Sequence, residues 1–434
     1  MRITINQYIL NGYRLKIESH SDTGIDTSVD IDMSKLSFFK GKIPSRLIDL
    51  FYLSSVVYGI DRSIRRHACS IDGWSREFHV FMRLPNSELF MQNKEKVDKM
   101  LSFLTGDIWD INYEYTELPE IPVINIPEMS EDYGQVNLFS GGMDSFIGAI
   151  DYLAASHEKK LCLISHYDHK MKGPLDDQNE AKSALQSYAE DFYHLPSVAI
   201  FPITSNEKTC RSRSFIFIAI ASLVASWKQI KVVVPENGSV SLNFPLSPSR
   251  RGACSTRTTH VLFVNQLIDL LASFGSPIEI ENPYEFMTKG AMVRDCKNRD
   301  FLLETVNKTN SCGKRNMRQH MTDHTASHCG RCMPCMYRRA ALTRYQDSTT
   351  YGDTLEQLFH DKGERSDDFF AMINFLRLNM SDDDIRRELR IAGLGRLNTF
   401  ERYVQLVKET RAELKAMILA QDNCDDVKRY VGLI

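Results

Sequence analysis

Six residues, Ser140-Gly141-Gly142-Met143-Asp144-Ser145, limit the possible folds of this chain more than any other feature. They lie between an apolar run at 136–139 and a helical pattern at 145–154. A strand that ends in paired glycines and turns directly into a helix is a unit of parallel α/β architecture. The pattern continues downstream. Apolar runs at 161–165, 197–203 and 232–234 read as buried strands, and 177–193 and 214–227 read as helices. Alternating strands and helices predict a parallel sheet with helices on both faces, placed in a middle domain at 135–345.

The flanks read differently. Residues 1–117 predict an N-terminal α+β accessory domain: 1–5, 13–18 and 76–84 alternate polar and apolar residues as half-buried strands do. Between them, Leu47, Leu50, Phe51, Val57 and Tyr58 fall at helical spacing. Residues 118–134 contain Pro119, Pro122, Pro127 and Gly134 and read as an extended linker. From 352 to 434 the pattern is helical. Ser381 with Asp384 gives a capping signal, Gly393 and Gly395 mark a turn, and 400–419 is an amphipathic helix. A helix-turn-helix over 381–419 is one reading; a helical cap on the middle domain is the expected one.

Composition narrows the setting. With 434 residues, 43% of them hydrophobic, the chain can fill two or three cores. A formal net charge of −3 predicts no overall attraction to nucleic acid or acidic membrane. The opening M-R-I-T-I-N-Q has no apolar signal region, and the apolar run 215–227 is too short to span a bilayer. A cytoplasmic location with no membrane association is expected.

Two motifs carry chemistry. At a glycine-rich strand-to-helix turn, outward N–H groups and the helix N-terminus together hold phosphate. Gly141 and Gly142 let the backbone approach oxygens closely, Ser140 and Ser145 add hydroxyls, and Asp144 can orient the loop or help hold Mg²⁺. No Walker sequence G-x-x-x-x-G-K-[ST] occurs. The second motif is Cys312, Cys329, Cys332 and Cys335, spaced C-x16-C-x2-C-x2-C among 10 cysteines. Four thiolates close a tetrahedral Zn²⁺ site of the structural kind. Cys312 is the outlying ligand, with His324 and His328 as substitutes. Lys314, Arg315, Arg318, Arg331, Arg338 and Arg339 surround the cluster. Such a knuckle can bind nucleic acid or the anionic groups of a small substrate, and the small substrate is favoured.

The S-G-G-x-D-S loop resembles the signature of the PP-loop ATP pyrophosphatases. Together with Cys329-Gly-Arg-Cys332-Met-Pro-Cys335-Met-Tyr-Arg338-Arg-Ala340-Ala341, it resembles 7-cyano-7-deazaguanine synthase (QueC) over 135–345. Ser212-Arg213-Ser214-Phe215 and Thr288-Lys289 resemble two further stretches of that family. The resemblance implies that Ser140, Gly141, Gly142, Met143, Asp144 and Ser145, with His166, contact ATP. It makes Asp144, Arg213 and Lys289 the catalytic set and implies ATP, Mg²⁺ and Zn²⁺ as cofactors. The family's Y-P-D-C-R segment is missing. In its region stand Glu236, Asn237, Asn243, Arg250 and Arg257, which with Arg213 are the expected substrate contacts. A polar surface loop is the alternative reading of that stretch.

The family adenylates a 7-carboxy-7-deazaguanine. A long chain with added N- and C-terminal regions resembles the branch found in bacterial anti-phage systems, such as the QatC component of Qat. That implies an activated deazaguanine carboxylate attacked by an amine, with the N-terminus of a partner protein from the same defence operon as candidate acceptor. The alternatives are a nitrile synthase that uses ammonia, and a nucleic-acid-binding sensor with a non-catalytic loop.

Overall fold

The computed structural model describes the chain apart from residues 125–128, 130, 156–157, 172, 208, 247–256, 316–320, 362 and 364–365. In chain order its strands are β1 (Arg2–Asn11), β2 (Arg14–Ser21), β3 (Thr27–Asp32), β4 (Glu77–Leu84), β5 (Ile108–Tyr115), β6 (Tyr133–Leu138), β7 (Lys160–Ile164), β8 (His166–Tyr167), β9 (Phe192–His194), β10 (Val198–Pro202), β11 (Lys231–Val233) and β12 (Ile280–Glu281). They form two sheets.

The expected parallel sheet is present, in the order β12-β11-β6-β7-β9, and every pairing in it is parallel. The strand β7 shows why its sequence is apolar throughout. Leu161 and Leu163 enter one core with helix Met143–Leu153, while Cys162 and Ile164 enter the opposite core with helix Arg213–Lys228. A strand buried on both faces has no polar side to show.

The first sheet is mixed, in the order β5-β4-β1-β2-β3-β10-β8. Two expectations change here. The strand expected at 197–203 is real as β10, but it pairs antiparallel with β3, Ile200 opposite Ile31, rather than joining the parallel sheet. An all-apolar strand has no mark that says which sheet it enters. The parallel position beside β7 goes to β9, whose first two residues fall at the end of the expected helix 177–193. That helix runs Pro174–Tyr188 and stops where Ala189 turns extended. Three residues are too few to show a period of two.

Helix Ser45–Ser63 is buried around nearly its whole circumference because it lies between the first sheet and helix Arg213–Lys228. At its end, Arg76 is fully buried and holds Asp61 and Asp107, each at 2.6 Å, and Ser212 donates to the other Asp61 oxygen at 3.0 Å. A buried guanidinium is tolerable only with such partners. Pairing fixes the start of the helix that carries Arg213.

The C-terminal region is helical. Helices Asp367–Arg377, Asp382–Ile391, Phe400–Ala420 and Asp425–Val431 share a core with Leu242, Met333 and Met336 of the middle region. The capping box at Ser381 and Asp384 is formed. Tyr403, Leu406, Thr410 and Leu414 of the long helix are buried against the fold. Among the described residues no helix is long and apolar enough to cross a membrane.

Ile31 and Ile200 are fully buried where β3 meets β10. Ile31→Ala is expected to destabilise the fold by about 2–4 kcal/mol. Hydrogen exchange should show peptides from β3 and from helix Arg213–Lys228 losing protection at one denaturant midpoint. Two separate midpoints would mean that the sheets unfold independently.

Candidate functional site

The loop 140–145 leaves the carboxyl end of β6, the middle strand of the parallel sheet. Gly141 has φ +81°, and a Cβ there would lie 2.7 Å from the Asp177 carbonyl carbon and 2.8 Å from the Gln178 nitrogen. Only glycine fits that close approach. Gly142 precedes helix Met143–Leu153 and supplies no side-chain cap. Gly142 N donates to Ser140 Oγ and Met143 N to Ser311 Oγ, both at 3.3 Å. Ser145 Oγ donates to the Gly142 carbonyl at 2.9 Å and accepts from Ser140 N at 3.3 Å. The two serines brace the loop from within, and its amides and hydroxyls crowd around a helix N-terminus, an arrangement suited to an anion.

From β6 the chain moves to β7 and β9 on one side, then crosses to β11 and β12 on the other. The carboxyl ends of β6 and β11 therefore flank a topological switch point, where open α/β sheets form clefts. Asp144 follows β6, Glu236 and Asn237 follow β11, and Lys289 follows β12. All four meet. Lys289 Nζ pairs with Asp144 Oδ1, and Asn237 Nδ2 donates to Asp144 Oδ2 at 2.7 Å. Asp144, Asn237 and Lys289 are buried. Burial works against the Asp144 carboxylate, but the Lys289 ammonium and hydrogen bonds from Glu236 and Asn237 outweigh it and hold its pKa below the usual range. Burial and the neighbouring Asp144 charge push Glu236 well above the ordinary glutamate value, so it keeps its proton and donates to Asp144. Asn282 Nδ2 steadies the Glu236 carbonyl at 2.8 Å.

A second polar group adjoins the loop. Gln178, against which Gly141 packs, donates to the His166 carbonyl at 2.9 Å, and Arg213 Nη2 donates to the same oxygen at 3.0 Å. The His166 ring is buried between Tyr58 and Phe217 with Nε2 on the Ile200 carbonyl, and burial and then Arg213 lower its pKa to about 3. The remaining expected contacts are dispersed. Arg257 stacks on Phe103 and donates to its carbonyl at 3.2 Å. Asn243 ends helix Gly238–Leu242 at φ 46°. Arg250 lies outside the described residues.

The four cysteines converge. The sulfurs of Cys312, Cys329, Cys332 and Cys335 lie within 4.8 Å of one another, with Cys329 and Cys335 3.8 Å apart. A tetrahedron with Zn–S bonds of about 2.3 Å has edges of about 3.8 Å. Arg331 N and Cys332 N donate to Cys329 Sγ at 3.4 and 3.3 Å, and Cys329 N donates to Cys312 Sγ at 3.3 Å. Such bonds favour thiolates. Cys312 completes the set, while His328 Nε2 accepts from Ser311 N at 3.3 Å. The basic flank is mostly spent inside the protein. Arg338 and Arg339 are buried and donate to the Val306 and Asp353 carbonyls at 2.7 and 2.6 Å. Lys314 pairs with Asp368 at 3.5 Å, and Arg315 pairs with Asp177. Asn310 N also donates to the Gly141 carbonyl at 2.9 Å, so the start of the cysteine segment touches the glycine loop. Ser311 and Asn310 had no signal in the sequence beyond standing next to Cys312.

A glycine loop at the switch point of a parallel sheet, with an acid and a lysine beside it, defines a nucleotide-binding α/β enzyme site. Residues 134–346 match the family of the queuosine biosynthesis protein QueC, so this part of the chain is a QueC-family domain, and members of that family are ATP-dependent enzymes. A search of curated proteins finds no match to the chain.

Two outcomes follow. The purified protein should carry about one zinc per chain, and Cys332→Ser should lose it and melt at lower temperature. Metal analysis and calorimetry check this; full zinc in the variant would remove Cys332 from the ligand set. Glu236 has a raised pKa in the fold, so its contribution to stability is present at acidic pH and lost as pH climbs from the usual glutamate range through the folded value. Glu236→Gln should therefore flatten the alkaline fall of melting temperature seen in the parent protein.

Proposed function

We propose that the chain uses ATP to activate the carboxylate of a 7-deazaguanine, releasing pyrophosphate, and transfers the activated acyl group to an amine. One observation carries this reading: within the QueC-family domain, Asp144, Glu236, Asn237 and Lys289 arrive from three different strand ends at the mouth of the glycine loop. A carboxylate is a poor electrophile. Attack by its oxygen on the α-phosphorus of ATP makes an acyl adenylate and expels pyrophosphate, and an amine then displaces AMP.

In this reading Ser140, Gly141, Gly142, Met143 and Ser145 hold the phosphates, and Lys289 offsets charge on the departing pyrophosphate. Asp144 would hold a Mg²⁺ ion that neutralises phosphate charge when bound, and Glu236 would join it only on giving up the proton it shares with Asp144. Arg213 and Asn243 are the described residues proposed to contact the substrate, whereas Arg257 is committed to Phe103. His166 acts through its carbonyl, which anchors Arg213. Ammonia as acceptor gives an amide, and a second ATP would then activate the amide oxygen so that it departs with AMP and leaves the nitrile. The N-terminal amine of a partner protein in an anti-phage system leads to a stable amide. The N- and C-terminal regions outside the matched domain favour the second acceptor, because they provide surface for a partner. The inward-turned Arg338 and Arg339 weigh against a nucleic-acid sensor.

The test is incubation with ATP, Mg²⁺ and 7-carboxy-7-deazaguanine, with ammonium or with candidate partner protein, followed by chromatography and mass spectrometry. AMP and pyrophosphate should form only with the deazaguanine present. Asp144→Asn should lower the rate of pyrophosphate release by about 100-fold. Production of ADP and phosphate, or equal rates in the variant, would sink the reading.

A further inference from the structure

The long C-terminal helix Phe400–Ala420 does more than cover the middle region. Its buried face touches the segments that deliver residues to Asp144. Leu406 fills the space beside Gly238, where a Cβ would meet its Cδ2 at 2.7 Å. Thr410 Oγ1 bonds Ser239 Oγ at 2.6 Å, and Tyr403 Oη donates to Glu285. Gly238 and Ser239 directly follow Glu236 and Asn237, and Glu285 lies on the approach to Lys289.

Glu413 is the decisive contact on this face. Its carboxylate accepts from Thr288 Oγ1 and, at 3.3 Å, from Gly290 N. These residues flank Lys289 on either side. A Cβ at Gly290 would collide with the Glu413 carboxylate, so the glycine lets the carboxylate sit directly against the backbone. Thr288 Oγ1 also accepts from Ala291 N at 3.0 Å and caps helix Lys289–Asp295. One carboxylate thus grips both neighbours of the lysine that pairs with Asp144.

We infer that Glu413 is a positioning residue: it fixes the backbone around Lys289 and so sets the Lys289 ammonium against Asp144 at the glycine loop. The importance of that placement for turnover rests on the proposed adenylation. The placement itself does not. A displacement of the lysine by a fraction of its reach changes where its charge stands relative to the phosphates, which lowers turnover more than it lowers ATP binding.

The experiment compares Glu413→Ala, Glu413→Gln and a control, Met417→Ala. Met417 is fully buried in the C-terminal core, one helical turn beyond Glu413. Two readouts are taken on the full chain: reductive methylation of Lys289 followed by peptide mass spectrometry, and kcat and KM for ATP in the pyrophosphate assay. Glu413→Ala should raise the methylation rate of Lys289 about threefold or more, as a less firmly held and less shielded amine requires. It should lower kcat about tenfold with a smaller change in KM. Glu413→Gln keeps one acceptor oxygen and should recover much of both. Met417→Ala should lower stability while leaving Lys289 methylation and kcat near the parent values. Unchanged Lys289 methylation in Glu413→Ala, or an equal rise in Met417→Ala, would overturn the inference. Faster methylation in Glu413→Ala alone, in a protein whose parent form makes no pyrophosphate, would uphold the positioning role and reject the adenylation reading.

Discussion

The pairing of Lys289 with Asp144 is the interaction around which the rest of the site is arranged. Both groups are buried, and an ion pair removed from water is retained only if its remaining hydrogen-bonding capacity is met. Asn237 and the protonated Glu236 meet it for Asp144. That requirement draws three strand ends together. β6 brings the acid, β11 its neighbours and β12 the lysine, and the order of the parallel sheet makes the three adjacent. Removing either charge leaves the other buried without its counterpart, so the site is stable only as a set.

The glycine loop and the cysteine cluster are physically coupled through backbone. Asn310 N bonds the Gly141 carbonyl, Ser311 Oγ receives the Met143 amide, and Arg315 reaches Asp177 beside the loop. Cys312 immediately follows Asn310 and Ser311. A metal that held Cys312 would thereby restrain the floor of the glycine loop. Structural ions contribute most when the segment they close has little apolar content of its own, as is true of 310–332.

Much of this was legible in the sequence, for identifiable reasons. Gly141 and Gly142 with Asp144 marked the loop because glycine at a strand-to-helix turn answers a backbone need that few other contexts impose. The cysteines were legible because thiol spacing carries its own geometry. Lys289 was reached through resemblance alone; nothing in its local pattern separates it from the surface lysines around it. Glu236, Asn237, Asn243 and Arg257 are expected together as substrate contacts, yet the structure divides them. Glu236 and Asn237 face Asp144, whereas Arg257 stacks on Phe103 and serves packing between segments. Polar composition does not report direction. Glu413 was not singled out either, since a glutamate on an amphipathic helix looks solvent-facing until the fold shows what lies opposite.

The placement of β10 has a consequence for how the chain can be divided. Between β9 and helix Arg213–Lys228 the backbone leaves the parallel sheet, contributes β10 to the first sheet beside β3, and returns. The first sheet is therefore sewn into the chain of the QueC-family domain itself. A protein trimmed to residues 134–346 would expose the β10 edge that β3 covers, leaving unpaired backbone groups along a strand that is apolar throughout. Such an edge recruits other chains. The N-terminal strands thus cover an edge of the matched segment that would otherwise stand open to other chains.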